Sequence, residues 1–217
     1  MKKNKPYYII AALLLVLTAV SSCKKDAYRT DGGLANAYSN LSTYDYLKSN
    51  QYHQFDTVLL LVDKFKLKDS INNAKTFFAF TDFSVHALMT SLGTTSLNQL
   101  TDSVSSKLFL QYMFEKPITI DSATLIPTSY SNYLGNAAPC AIKKVQATYY
   151  VNLSNTNPAF TYFILAYVKV NGMIDGMAGP VQGDQADITL PCQTEGIHTS
   201  TGTILHVLAN SVIPTKR

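Results

Sequence analysis

Tryptophan is absent from this 217-residue chain, cysteine occurs three times and histidine four times. Each scarcity excludes something. Without tryptophan, stacking on sugars or partner rings falls to fourteen tyrosines and ten phenylalanines. His53, His86, His198 and His206 form no His-x-x-x-His spacing and no Cys-x-x-Cys pair exists, so no metal site is nominated. A Gly-x-Ser-x-Gly elbow, a phosphate loop and a dinucleotide fingerprint are all missing. The fourteen acidic side chains are scattered, which leaves no acid and base to pair. The sequence therefore points to a non-catalytic protein without a cofactor.

Long hydrophobic runs are scarce as well. The one sustained run, "YYIIAALLLVLTAV" at 7–20, is shorter than the roughly 20 residues that span a bilayer. Lys2, Lys3 and Lys5 precede it and Ser21-Ser22 follow, which is the make-up of a secretory signal peptide over 1–22. The next residue is Cys23, and "VSSC" resembles a bacterial lipobox. That resemblance implies cleavage before Cys23, diacylglycerol on its thiol and a further acyl chain such as palmitate on its amine. Several acyl chains anchor a protein stably where one does not. Lys24 stands where an inner-membrane retention signal would have Asp, so the implied destination is the outer membrane.

Removing 22 residues leaves 195 and takes three lysines, lowering the formal charge from +4 to +1. The remaining lysines come at most in pairs, so a nucleic-acid footprint is excluded. About 195 residues suffice for one core, and no period of 20 to 50 residues repeats. Residues 23–41, with Gly32-Gly33 and no apolar period, read as anchor and flexible tether, and 42–217 as a single domain. Cys140 in "APC" and Cys192 in "LPC" lie beside prolines in loop-like settings; in an oxidising compartment they are either bridged or separately buried.

Within that domain the helical signals come first. Ser42 is a candidate N-cap. Apolar residues at 55, 58, 59, 62 and 65 mark an amphipathic helix, with Asp56 near its start and Lys64, Lys66 and Lys68 near its end. "TFFAF" at 76–80 reads as a buried strand, and Asp82 as the cap of a helix through Met89. A further helix fits 102–114, capped by Asp102. From 118 onward β-branched and aromatic runs take over, with strands at 142–153, 159–170, 186–199 and 203–213, a turn at Asn155, Asn157 and Pro158, and a Gly/Asp-rich segment at 175–187. Helices followed by sheet make an α+β pattern.

Two separated segments resemble the motifs of the fasciclin domain family. "TFFAFTDFSVHAL" at 76–88 is similar to its strand-to-helix motif through Thr76, Phe78, Ala79, Thr81 and Asp82, with Phe80 in place of the usual proline. "GTILHVLANSVIP" at 202–214 is similar to its closing motif through Gly202, Ile204, His206, Val207 and Pro214, with Ala209 in place of Asp. Met113 occupies the family's histidine position. The resemblance spans about 42–215, with 118–195 enlarged and poorly matched. It implies a β-rich wedge or sandwich with helices on one side, used for adhesion or for protein and glycan contacts.

The expected function is thus a lipid-anchored envelope module that contacts a protein or glycan partner; the competing class is an envelope hydrolase whose carboxylates converge only in three dimensions. Taken alone, His206 could be a metal ligand, a general base or a core residue. Within the second motif it is expected in the core, with one ring nitrogen donating and the other accepting, tying the last strand to the hinge near Asp82. Most tyrosines read as half-buried strand packing, whereas Tyr130 and Tyr133, in a Ser/Asn-rich loop, are the candidates for binding. Asp-Ser/Thr-apolar triplets at 56, 69, 102 and 121 resemble an O-glycosylation pattern and equally suit helix caps.

Overall fold

A computed structural model describes residues 37–150, 159–176, 179–180, 183–211 and 214. Cys23, the signal segment, the 155–158 turn and Val212-Ile213 lie outside the described residues. Among the described residues no helix is long and apolar enough to cross a membrane.

Helix α1 (Thr43–Lys48) starts where Ser42 accepts the Asp45 amide proton at 3.1 Å. In α2 (Asp56–Lys64) Val58, Leu59, Leu61 and Val62 are buried while Leu60 faces out, as the three-and-four spacing requires. α3 (Lys68–Asn73) leads into β1 (Thr76–Ala79), buried at every position, and α4 (Asp82–Ser91) follows directly. The helix expected over 102–114 is instead three pieces. α5 (Leu97–Ser103) is capped by Ser96, Val104 is extended, α6 (Lys107–Leu110) is a single turn, and Met113–Phe114 form β2. Ser105 Oγ accepts from Lys107 N at 3.4 Å, a local bond that competes with the helix, and pairing of Phe114 with Thr76 draws the end into the sheet. Asp102 therefore sits in the last turn of α5 and does not cap a helix.

The remaining strands are β3 (Thr128–Tyr130), β4 (Cys140–Tyr150), β5 (Ala159–Lys169), β6 (Ile188–His198) and β7 (Ile204–Leu208). All seven join one mixed sheet in the order β2-β1-β7-β6-β5-β4-β3. Only β1 and β7 run parallel; the other neighbours are antiparallel. The protein is α+β. The helices and the sheet share a core in which Phe77, Phe78, Phe80, Phe109, Tyr112 and Tyr167 are at most 1% exposed.

Two sequence expectations change here. The tether ends earlier than residue 41: the His198 amide donates to Ala37 O at 2.7 Å, Ser39 N donates to His198 O at 2.8 Å, and the Tyr38 ring stacks on His198 at 4.9 Å. Cys140 and Cys192 are buried as unbridged thiols, and they lie on β4 and β6 rather than in loops. Strand β5 runs between them and sets Cys140 opposite Lys169 while Pro191 meets Ala166. Two strand spacings are about 10 Å, beyond the roughly 7 Å that a disulfide can bridge, so the pair cannot be joined. Cys140 Sγ donates to Tyr130 O at 3.2 Å, and burial, reinforced by Glu195, pushes the Cys192 thiol well above its usual pKa.

Candidate functional site

The two motifs meet as adjacent strands, second and third in the sheet. β1 and β7 pair residue for residue: Thr76 with Ile204, Phe77 with Leu205, Phe78 with His206 and Ala79 with Val207. Thr76 Oγ1 donates to Lys116 O and accepts from Ile118 N, both at 2.8 Å. Thr81 Oγ1 donates to Asn210 Oδ1 at 2.9 Å. Gly202, at φ +82°, turns the chain between β6 and β7, where its amide donates to Thr199 O. Pro214 is buried.

His206 is fully buried and stacked on Phe78 at 4.7 Å. Its Nε2–H donates to Ile118 O at 3.0 Å, and Nδ1 accepts from Gly196 N–H at 3.2 Å. Those partners fix the neutral tautomer. Burial lowers its pKa from 6.5 to about 4; the Ile118 bond opposes this and the charge of His198 adds to it. Both ring nitrogens are thus engaged by main-chain groups. The expected tie to the hinge near Asp82 is replaced by one to Ile118. Gly196 was not anticipated. It lies at φ +76° within an irregular stretch of β6, where the register shifts between Thr194 and Ile197, and that bulge aims its amide at the imidazole.

Asp82 departs from expectation too. Its carboxylate accepts from Thr57 N at 3.0 Å and Val58 N at 2.9 Å, so it caps α2 rather than its own helix. The residue at the N-cap of α2, Phe55, has no side-chain acceptor. Around this cap lies an open groove of about 430 Å³ flanked by Tyr52, His53, Phe83 and His86. His53 is held at φ +51° with Nδ1 3.1 Å from Asp56 Oδ2. Both Asp82 oxygens are engaged by main-chain amides, which leaves the groove without a free carboxylate from that residue.

A carboxylate pair, Asp175 and Asp187, lines a cavity of about 210 Å³ between Lys143, Val168 and the loop after β5. Asp187 Oδ2 accepts from Asp175 N at 2.9 Å, Asp175 Oδ2 accepts from Asp187 N at 2.7 Å, and Asp187 Oδ1 accepts from Asn171 N at 2.9 Å. Asp175 Oδ1 is buried without a partner. Three of the four oxygens thus staple the Gly/Asp-rich segment. Among the described residues no group of three or more His, Cys, Asp or Glu could hold a metal.

A cluster of exposed aromatics lies on the β4–β5 ribbon. At its root, Cys140–Ile142 and Leu165–Val168 are buried; beyond, exposure rises to 62% at Tyr149, 65% at Tyr150, 57% at Phe160, 50% at Tyr162 and 45% at Phe163. Register sets Tyr149 against Phe160 and Ala147 against Tyr162 on one face, and Gln146 against Phe163 on the other. Residues 145–168 contain no charged side chain and no histidine. An uncharged cluster of exposed aromatics marks a contact surface. Tyr130 and Tyr133, the expected binding residues, are half-buried and packed on the core: Tyr130 ends β3 with its ring edge-on to Phe114 at 6.4 Å, and burial, then Glu115, raises the Tyr133 pKa. Periodicity alone could not separate the two sets, because the ribbon alternates like a covered strand.

Compared with known proteins, the chain matches no protein-family model and no curated sequence.

Proposed function

We propose that this protein is a lipid-anchored fasciclin-like module of the cell envelope, non-catalytic, that contacts a protein or glycan partner through the β4–β5 ribbon. The observation that carries this is the exposed, charge-free set Tyr149, Tyr150, Phe160, Tyr162 and Phe163. Rings of this kind supply large contact area at little conformational cost and stack on sugars or side chains alike. Support for the fasciclin-like reading comes from the pairing of Phe78 with His206 and of Thr76 with Ile204, because two segments that resemble one family's motifs form adjacent strands. The lipobox at Val20–Cys23 supports acylation of Cys23, and Lys24 supports an outer-membrane address.

The hydrolase alternative draws on Asp175 and Asp187, which face one cavity. Their engagement with main-chain amides favours a stapling role. Binding is tested with residues 24–217, screened against envelope proteins and glycans. The expected result is saturable binding that drops at least tenfold in a Tyr149→Ser, Tyr162→Ser variant with unchanged melting temperature. No saturable partner, or equal binding by the variant, removes the ribbon from the reading. Polymer hydrolysis that disappears in Asp175→Asn would favour the enzyme instead.

A further inference from the structure

We propose that the outer edge of β5 pairs with the same edge of a second copy of this chain, giving an antiparallel dimer centred on Thr161. This rests on reading the ribbon as a contact surface and names its occupant. Four observations lead to it.

The first is an unfilled edge. β6 lies along β5 only from Ala166 to Lys169, and Glu195 Oε2 then accepts the Leu165 amide at 2.9 Å. Because the Leu165 N–H points outward, Phe163, Thr161 and Ala159 also turn their main-chain groups outward. Among the described residues no strand pairs with them. A two-stranded ribbon is marginal in water by itself, and an uncharged edge lacks the lysines or prolines that usually block pairing.

The second is register. Centred on Thr161, the pairing matches Thr161 with itself and Ala159 with Phe163 as hydrogen-bonded pairs. Phe160 then lies across from Tyr162 of the second copy in the closer, non-hydrogen-bonded arrangement. Threonine pairs and aromatic pairs are both favourable across strands. Tyr149, already opposite Phe160, extends the aromatic row on both sides of the axis. The outer edge of β4 offers less: it would set Gln146 against Tyr150 and Ala147 against Tyr149, beside Lys143 and Lys144.

Charge is the third. A two-fold interface must complement itself, and any charge near the axis meets its own copy. Residues 145–168 carry none. Aromatics protrude from both faces of the ribbon, Tyr149, Phe160 and Tyr162 on one and Tyr150 and Phe163 on the other. A glycan stacked on one face would leave both the other face and the edge amides open, whereas a strand from a second copy satisfies the edge and adds neighbouring side chains on both faces.

Area is the fourth. A buried Tyr or Phe covers about 150–250 Å², and the three on β5, Phe160, Tyr162 and Phe163, are 45–57% exposed. Two copies can therefore bury on the order of 600 Å² of ring surface, to which the paired main chain adds, the size of a weak interface. An interface of that size is weak in solution and gains from confinement of both copies to one membrane.

The test uses the full lipidated chain in detergent with Thr161→Cys, oxidised and run without reductant, alongside the wild type and Thr148→Cys on the β4 edge. Cys140 and Cys192 are buried and leave the new thiol as the reactive one. The expected result is a disulfide dimer at least tenfold more abundant for Thr161→Cys than for either comparison. Adding Tyr162→Lys, which brings two like charges together near the axis, should cut the crosslink at least tenfold and return the chain to monomer in sedimentation. A monomeric Thr161→Cys chain, stronger crosslinking through Thr148→Cys, or indifference to Tyr162→Lys would each overturn the proposal. If another partner still binds and loses binding in the Tyr149→Ser, Tyr162→Ser variant, the contact-surface reading stands while this dimer falls.

Discussion

Strand β5 carries two populations of aromatics. Tyr167 near its end is 1% exposed, with its hydroxyl donating to Gln111 O at 3.3 Å and its ring against Phe78 and Tyr112. Five positions earlier Tyr162 is 50% exposed. The residue types and the strand are the same. What differs is the cover: β6 flanks the end of β5, whereas residues 159–163 have β4 alone. An aromatic in a strand thus stabilises the fold or offers a surface according to what lies over it.

Truncation on each side should expose that contrast at its largest. Phe78 touches Phe114, Tyr167 and His206 and is fully buried, so Phe78→Ala should cost about 3–5 kcal/mol. Tyr162→Ala should stay within about 0.5 kcal/mol. Urea denaturation of both variants measures this; equal losses would abolish the distinction between core and ribbon.

Acid should act on the buried side alone. The folded pKa of His206 is about 4 against 6.5 for the free group. On acidification the unfolded chain takes up the proton first. His206 therefore leaves stability intact above pH 6.5 and removes about 3 kcal/mol as the pH falls from 6.5 to about 4. Glu195 opposes this: burial raises its pKa, partly offset by the Leu165 amide, so its contribution favours the fold at lower pH and is lost as pH rises. Subtracting the pH profile of His206→Gln from that of the wild type isolates the histidine. A difference that stays flat between pH 4 and 6.5 would contradict the buried neutral ring.

Asp82 sharpens the comparison at an intermediate size. It supports α2 through two amides from a position 25 residues away in sequence, so Asp82→Ala should cost about 1–2 kcal/mol. Hydrogen exchange should quicken first at Thr57 and Val58. If exchange quickens at the start of α4 instead, the carboxylate caps its own helix.

How much of this could be read beforehand follows the range of the forces involved. The Ser42 cap, the α2 stripe and the strands β4 to β7 are local patterns, and they were legible within a few residues. The two motifs and the core position of His206 were legible through resemblance. Interactions between distant segments were not: the Asp82 cap on α2, the Gly196 amide on His206, and the β1 pairing that turns Met113–Phe114 into a strand. The half-burial of Tyr130 and Tyr133 was hidden for the same reason. Serine and asparagine around Tyr130 and Tyr133 resemble a solvated loop, yet β4 and the core cover them, while the alternating ribbon resembles a covered strand and is bare.

The smallest effect tests the ribbon from within. Tyr149 and Phe160 face each other across β4 and β5, a pair that in an antiparallel sheet contributes about 0.2–1 kcal/mol. With both rings more than half exposed, the coupling from Tyr149→Ala, Phe160→Ala and their double variant should fall in that range. It should be read at nanomolar protein, where a weak dimer has dissociated. A coupling above about 2 kcal/mol at that dilution would mean the rings are sheltered within the single chain, and the ribbon would then belong with Tyr167 and Phe78 rather than apart from them. A coupling that rises from the small value only as protein concentration increases would place the missing cover in a second molecule.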